Sequence, residues 1–159
     1  MNSLAKYFKQ KDTVLREVDA TDVTALVSII NDAYSYQDSA KGRPRTDPEH
    51  LRARIEETDF YVLERDNEIV GCVYLEPQED SLHFGLLTLI PNLRKTGLGK
   101  MVMDAIEAYA KDSGYRSLEL DYMSLAPWLK GYYEKYGFEE TGDVTEWGSI
   151  DLIRMRKEV

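Results

Sequence analysis

Residues 86–100 read Leu-Leu-Thr-Leu-Ile-Pro-Asn-Leu-Arg-Lys-Thr-Gly-Leu-Gly-Lys. An apolar run ends at Pro91, and a basic turn punctuated by Gly97 and Gly99 follows. From there the apolar spacing becomes helical: Leu98, Met101, Val102, Ala105, Ile106 and Tyr109 recur at i, i+3, i+4, i+7, i+8 and i+11. The stretch reads as a strand, a short loop and a helix N-terminus. The first turn of a helix has unpaired N–H groups and carries roughly half a positive charge. With glycines that let a ligand approach the backbone, it makes an anion cradle of the kind used for phosphate or pyrophosphate. The pattern Arg94-x-x-Gly97-x-Gly99 is not the three-glycine dinucleotide fingerprint, and it is not a Walker A loop, because Met101 stands where the Ser or Thr after Lys100 is required.

Outward from this stretch the periodicities alternate. Residues 13–18 read as a strand. Thr21 is placed to cap a helix in which Val23, Leu26, Val27, Ile30 and Tyr34 share a face. Residues 35–46 are polar, contain Gly42 and Pro44, and read as a loop. Asp47-Pro48 starts a short helix to about Glu57, a cap followed by proline at the first helical position. Residues 60–65 and 68–76 form a hairpin around Asp66-Asn67, with Pro77 ending its second strand, and residues 81–90 add a third strand. Ser113-Gly114 stops the long helix. Residues 116–121 read as a strand, 127–136 as a helix, and 138–141 with 149–156 as a closing antiparallel pair. A meander that enters a strand–helix–strand unit predicts an α/β fold. Its central sheet is mixed and mostly antiparallel, with one parallel pair around a right-handed crossover and flanking helices. The 159 residues suit one domain, spanning 1–159, with no repeat or linker.

The composition bounds the function. The net charge of −9 argues against a nucleic-acid binder and leans toward a cationic acceptor such as an amine. No apolar run is long enough to span a bilayer and no leader pattern is present, so no membrane is expected and the cytoplasm is the default compartment. The lone Cys72 lies in an apolar run and reads as a small buried hydrophobe; no cysteine-rich metal site is available and no metal is expected.

The segment Arg94-Lys95-Thr96-Gly97-Leu98-Gly99-Lys100 after an apolar strand resembles the acetyl-CoA-binding motif of the GNAT superfamily of acyl-CoA N-acyltransferases, Arg/Gln-x-x-Gly-x-Gly/Ala. Downstream, Tyr132-Tyr133-Glu134-Lys135-Tyr136-Gly137-Phe138 resembles that family's aromatic-Tyr-Glu-Lys-x-Gly-Phe segment. The resemblance implies a GNAT-like fold and an N-acetyltransferase that moves the acetyl group of acetyl-CoA to a primary amine of a small molecule or peptide. It assigns residues 94–100 to the pyrophosphate; by charge, Arg94, Lys95 and Lys100 are expected to make the local field positive, with Lys130 and Lys135 expected nearby. It assigns Leu87, Thr88 and Leu89 to a strand edge that pairs with the pantetheine arm, where the two parallel strands splay apart. A homodimer is the family habit, and twofold assembly is common among soluble proteins.

Amine attack on a thioester needs deprotonation of the amine, stabilisation of the carbonyl oxygen and, usefully, a proton for the departing thiolate. Backbone N–H groups at Leu87–Leu89 serve the second need if that strand end is free. Tyr133 stands at the family's general-acid position, and a phenol of pKa about 10 is protonated at neutral pH. An alkylamine is only about 0.04% neutral at pH 7, so a base is needed. Glu76, His83, Glu119 and Asp121 are candidates, as is a water relay. Many family members have Asn seven residues before the tyrosine, and here that residue is Ala126. A non-catalytic acyl-CoA-binding or sensing domain is the alternative. The stretch Tyr34–Asp38, with Arg43, Arg45 and Glu49, is expected at the acceptor end, where tyrosines and an acid suit an ammonium group.

Overall fold

Strand order follows from which edges the turns bring together. The computed structural model describes residues 3–159. In it β1 (Val14–Glu17), β2 (Asp59–Arg65), β3 (Glu68–Gln78) and β4 (Ser81–Leu89) form an antiparallel series. Asp66 and Asn67 both take positive φ at the β2–β3 turn, as their short polar side chains allow. The helix α4 (Leu98–Asp112) crosses over to β5 (Ser117–Met123), which lies parallel to β4. The hairpin of β6 (Glu139–Trp147) and β7 (Ile150–Glu158) closes the seven-stranded sheet, in the order β1-β2-β3-β4-β5-β7-β6. This is the predicted mixed α/β architecture.

The helices α1 (Val23–Ala33), α3 (Pro48–Glu57), α4 and α5 (Trp128–Glu134) flank the sheet. Val102, Ile106 and Ala110 of α4 are fully buried against Leu82 and Phe84 of β4 and Leu118 and Leu120 of β5 in the larger core. Leu26 and Ile30 of α1 and Leu51 of α3 cover Val62, Cys72 and Leu86 in a second cluster. Each fully buried side chain of leucine or isoleucine size contributes about 1.5–3 kcal/mol. Cys72 is the buried hydrophobe expected, and burial pushes its thiol pKa up to about 12.

Several boundaries differ from the reading of the sequence. Asp19, not Thr21, does the capping: it accepts from Thr21 N–H and forms a capping box with Asp22 around a 3-10 turn, and α1 starts at Val23. The expected loop 35–46 contains a 3-10 turn and the short helix α2 (Asp38–Lys41), closed by Gly42 in the left-handed conformation. Pro77 does not end β3. Past Leu75 the strand has no β2 partner, so the missing N–H of proline costs no ladder bond on that edge while Pro77 still sits opposite Leu82 of β4. The last two strands extend to a tight turn at Gly148, φ +66°.

Two irregularities open one end of the sheet. β4 pairs with β5 only at Ser81–His83 with Ser117–Glu119, after which the parallel strands have no mutual pairing. Beyond that point Leu86 takes φ +51°, and the β3–β4 register shifts between Cys72 and Tyr74. A bulge of this kind bends a strand and re-aims its side chains.

Candidate active site

The loop after β4 is built to present N–H groups. Lys95 (φ +62°) and Gly97 (φ +88°) are both left-handed, and Gly97 is the N-cap of α4 with no side chain capping the helix. The orphan N–H groups of the first turn are thereby left for an anion. Gly97 owes its identity to its φ, since a Cβ there would meet nothing within 4 Å. Gly99 is buried, and a Cβ on it would lie 3.1 Å from the Tyr132 hydroxyl and 3.7 Å from Leu89 Cδ1. Thr96 Oγ1 donates to the Leu93 carbonyl at 2.6 Å, closing the loop on itself, and Arg94 Nε donates to the Leu89 carbonyl at 3.1 Å, tying the loop to the end of β4. Lys100 is engaged with Asp104 at 2.7 Å, and Lys130 faces Glu140 at 3.8 Å. The donor set and the wedge beside it suit an extended ligand with a pyrophosphate, and no side chain caps the helix end.

The wedge opens into a cavity of about 310 Å³. Leu87 of β4 lines it and is half-buried; Thr88 is buried, with its hydroxyl donating to the Leu86 carbonyl, so only its backbone is available to a ligand. Tyr133 projects from α5 into the same cavity. An aromatic chain holds it: Tyr132 at 5.1 Å, Phe138 at 5.9 Å, and Phe84 at 6.0 Å from Phe138. Burial, and after it the hydroxyls of Tyr34, Tyr132 and Tyr36, raise its pKa above that of an ordinary phenol. Its hydroxyl therefore keeps its proton at physiological pH. Ala126 is fully buried in the turn before α5 and brings no polar group to the cavity.

The four candidate bases separate on their partners. Asp121 and Glu119 share a strand face and both meet Arg154 of β7, at 2.7 Å and 3.3 Å. Burial pushes the Asp121 carboxyl up, but hydrogen bonds from His83 and Arg154 outweigh it and its pKa falls to about 2. Glu119 is lowered as well, because hydrogen bonds from Ser81 and Arg154 outweigh its burial. Both are paired anions and weak bases. His83 is buried, lines the cavity, and puts Nε2 3.3 Å from Asp121 Oδ2. Its Nδ1 has no hydrogen-bond partner among the described residues. An anionic Asp121 favours the tautomer with the proton on Nε2, which leaves the lone pair on Nδ1. Glu76 sits opposite His83 in the β3–β4 register, lines the cavity, and accepts from Gln78 at 3.2 Å.

Of the residues expected at the acceptor end, Tyr34, Tyr36 and Arg45 line the cavity, whereas Arg43 lines a neighbouring one and Glu49 lines neither. Asp38 accepts from Gln37 at 2.6 Å. Sequence reasoning missed Arg54, Tyr74, Trp147 and Arg154. Arg154 is the register partner of Asp121, a pairing that only the β5–β7 alignment reveals. Tyr74 lies where the absent side chain of Gly85 leaves room: a Cβ there would stand 2.4 Å from the tyrosine hydroxyl. Among the described residues no group of three or more His, Cys, Asp or Glu is placed to hold a metal ion, and no helix is long and apolar enough to cross a membrane.

Known proteins share this fold. A sequence-family model, Acetyltransferase (GNAT) domain, matches residues 30–159. The chain is 28% identical over 89 residues to the human N-acetyltransferase 8B, a match covering 52% of this chain and 39% of that protein. The chain thus spans about two fifths of that relative's length. Its fold is similar to the ribosomal-protein-S18-alanine N-acetyltransferase of Escherichia coli, with a TM-score of 0.74 at 17% identity over 92% of this chain and 94% of that one. It is also similar to the PaiA N-acetyltransferase of Thermoplasma acidophilum, whose structure contains coenzyme A, with a TM-score of 0.69 at 15% identity over 94% and 100% of the two chains.

Proposed function

The chain belongs to the GNAT acetyltransferase family, and we propose that it is an N-acetyltransferase that moves the acetyl group of acetyl-CoA to a primary amine held in the cavity. The observation that carries this reading is the grouping of three features at one end of the sheet: the uncapped N-terminus of α4, whose Gly99 lies beside Leu89, the edge of β4 that has no β5 partner beyond His83, and Tyr133 in the cavity that Leu87 also lines.

When bound, acetyl-CoA supplies the activated acyl group as a thioester. Residues 94–100 take its pyrophosphate on the N–H groups of the loop and first helical turn. The free edge at Leu87–Leu89 aligns the arm and polarises the carbonyl through backbone N–H groups. His83, oriented by Asp121 and through it by Arg154, is the base for the amine proton, reached by a small movement of the ring because its Nδ1 is buried. Tyr133 hydrogen-bonds the departing sulfur; a thiolate whose conjugate acid has a pKa of about 8.5 needs little more help than that.

The test is release of free thiol from acetyl-CoA against a panel of amines. Amine-dependent release at rates well above hydrolysis is the expected result. Saturable acetyl-CoA binding with no turnover on any amine would overturn catalysis and leave a binding domain.

A further inference from the structure

We propose that the acceptor is an amine that also carries a carboxylate, and that Arg45 receives that carboxylate. The inference rests on the reading of the cavity as the acceptor site. Three arginines face it. Arg154 is neutralised by Asp121 and Glu119, and Arg54 has Glu76 at 4.0 Å. Arg45 has no acidic partner among the described residues. It is held instead by two rings, Trp147 at 4.9 Å and Tyr34 at 5.6 Å, and its Nε is buried without a hydrogen bond. A guanidinium partly withdrawn from water, with its Nε buried and no anion beside it, is costly, and a fold that keeps one at a cavity wall leaves the counter-charge to the ligand.

The surroundings reinforce the sign. Lys41 lies 3.8 Å from the same Trp147 ring. A second cavity of about 290 Å³ shares Arg45, Arg54 and Trp147 with the first and adds Arg43, His50 and Asp47, the last two engaged with each other at 2.6 Å. This basic corner stands in a chain of net charge −9, against the trend of the whole molecule. At the sheet side of the same cavity stand Glu76, His83 and Asp121. The cavity therefore holds an imidazole and arginine-paired carboxylates near the strands, and Arg45, without an acidic partner among the described residues, at the wall formed by Tyr34 and Trp147. A molecule with an amine for the strand side and a carboxylate for Arg45 matches both. The planar fork of arginine suits a carboxylate bidentately, and the cavity's size suits an amino acid or the like rather than a folded partner.

The experiment pairs free amino acids, aliphatic and aromatic, with their amides and their decarboxylated amines, and adds phosphoethanolamine as a phosphate-bearing amine. Affinity is measured by calorimetry in the presence of CoA, and turnover by thiol release. The expected result is at least a ten-fold preference for the carboxylate in both readouts. In Arg45→Gln that preference shrinks to under two-fold while the amide is unaffected. The unliganded Arg45→Gln variant should melt within a few degrees of the parent, because no acid among the described residues pairs with this guanidinium. No carboxylate preference in the parent, including no carboxylate bound at all, overturns the inference. So does a preference that survives Arg45→Gln, a stronger response to phosphoethanolamine, or a large fall in melting temperature on replacement. A binding preference without any turnover keeps the inference and overturns only the transferase reading.

Discussion

His83 and Asp121 face each other across the line where the sheet divides, Nε2 of the one 3.3 Å from Oδ2 of the other. Asp121 is held in turn by Arg154, at 2.7 Å. The arrangement keeps Asp121 anionic and so points the histidine's lone pair away from it. His83→Gln is expected to lower kcat about 100-fold, with acetyl-CoA affinity unchanged. A parent-like kcat in that variant would move the base to Glu76 or to a water relay.

Tyr133→Phe removes one oxygen and leaves the packing against Phe138 intact. The expected outcome is a fall in kcat of about ten-fold, the loss of one hydrogen bond to the departing sulfur, with the Kd for acetyl-CoA within two-fold of the parent. An unchanged kcat would make the ring a packing element only.

The two glycines of the cradle separate by cause. Gly97→Ala introduces a Cβ into open space but at φ +88°, so it should cost about 1 kcal/mol of stability through backbone strain. Gly99→Val presses on the Tyr132 hydroxyl and Leu89 at a buried position beside the helix N-terminus. It is expected to abolish acetyl-CoA binding, by calorimetry, while the circular dichroism stays native. Retained affinity in Gly99→Val would reduce the turn to a packing feature.

Asp121 also gives stability an acid limb. Its folded pKa of about 2 lies below the ordinary 3.8. A depressed carboxylate stabilises the fold above the unfolded value, and that contribution is lost as pH falls through the folded one. Solvent reaches part of this carboxyl and screens it, so about 1 kcal/mol should be present above about pH 4 and disappear toward pH 2. Chemical denaturation of the parent and Asp121→Asn across that window checks this: the variant should be less stable at pH 6 and show a flatter slope between pH 4 and 2.

What the sequence makes legible follows local rules. The cap at Asp47 with Pro48, the Asp66-Asn67 turn, the left-handed Gly114 and the periodicity of α4 each depend on neighbours in sequence. What it hides depends on register. Arg154 reaches Asp121 only because β5 and β7 align those two residues. Leu86 carries no mark of its positive φ, which the bulge imposes. Pro77 reads as a strand end because its place on an unpaired edge is a property of β2's length. Arg45 is visible as an arginine in a polar stretch, but its isolation from acids is a three-dimensional fact. The overall charge points the other way.

Only three register pairs, at Ser81–His83, join β1–β4 to β5–β7, and the hydrogen bond from Ser81 Oγ to Glu119 at 2.6 Å spans that short seam. Mechanically the sheet is two plates on one weld. A ligand lying along the gap adds rungs to both plates, so part of its binding free energy is spent on stiffness. Amide exchange at Leu120–Met123 and Leu86–Leu89 should slow when CoA is present, and loosening the seam with Ser81→Ala should weaken the grip on a ligand that residue never touches.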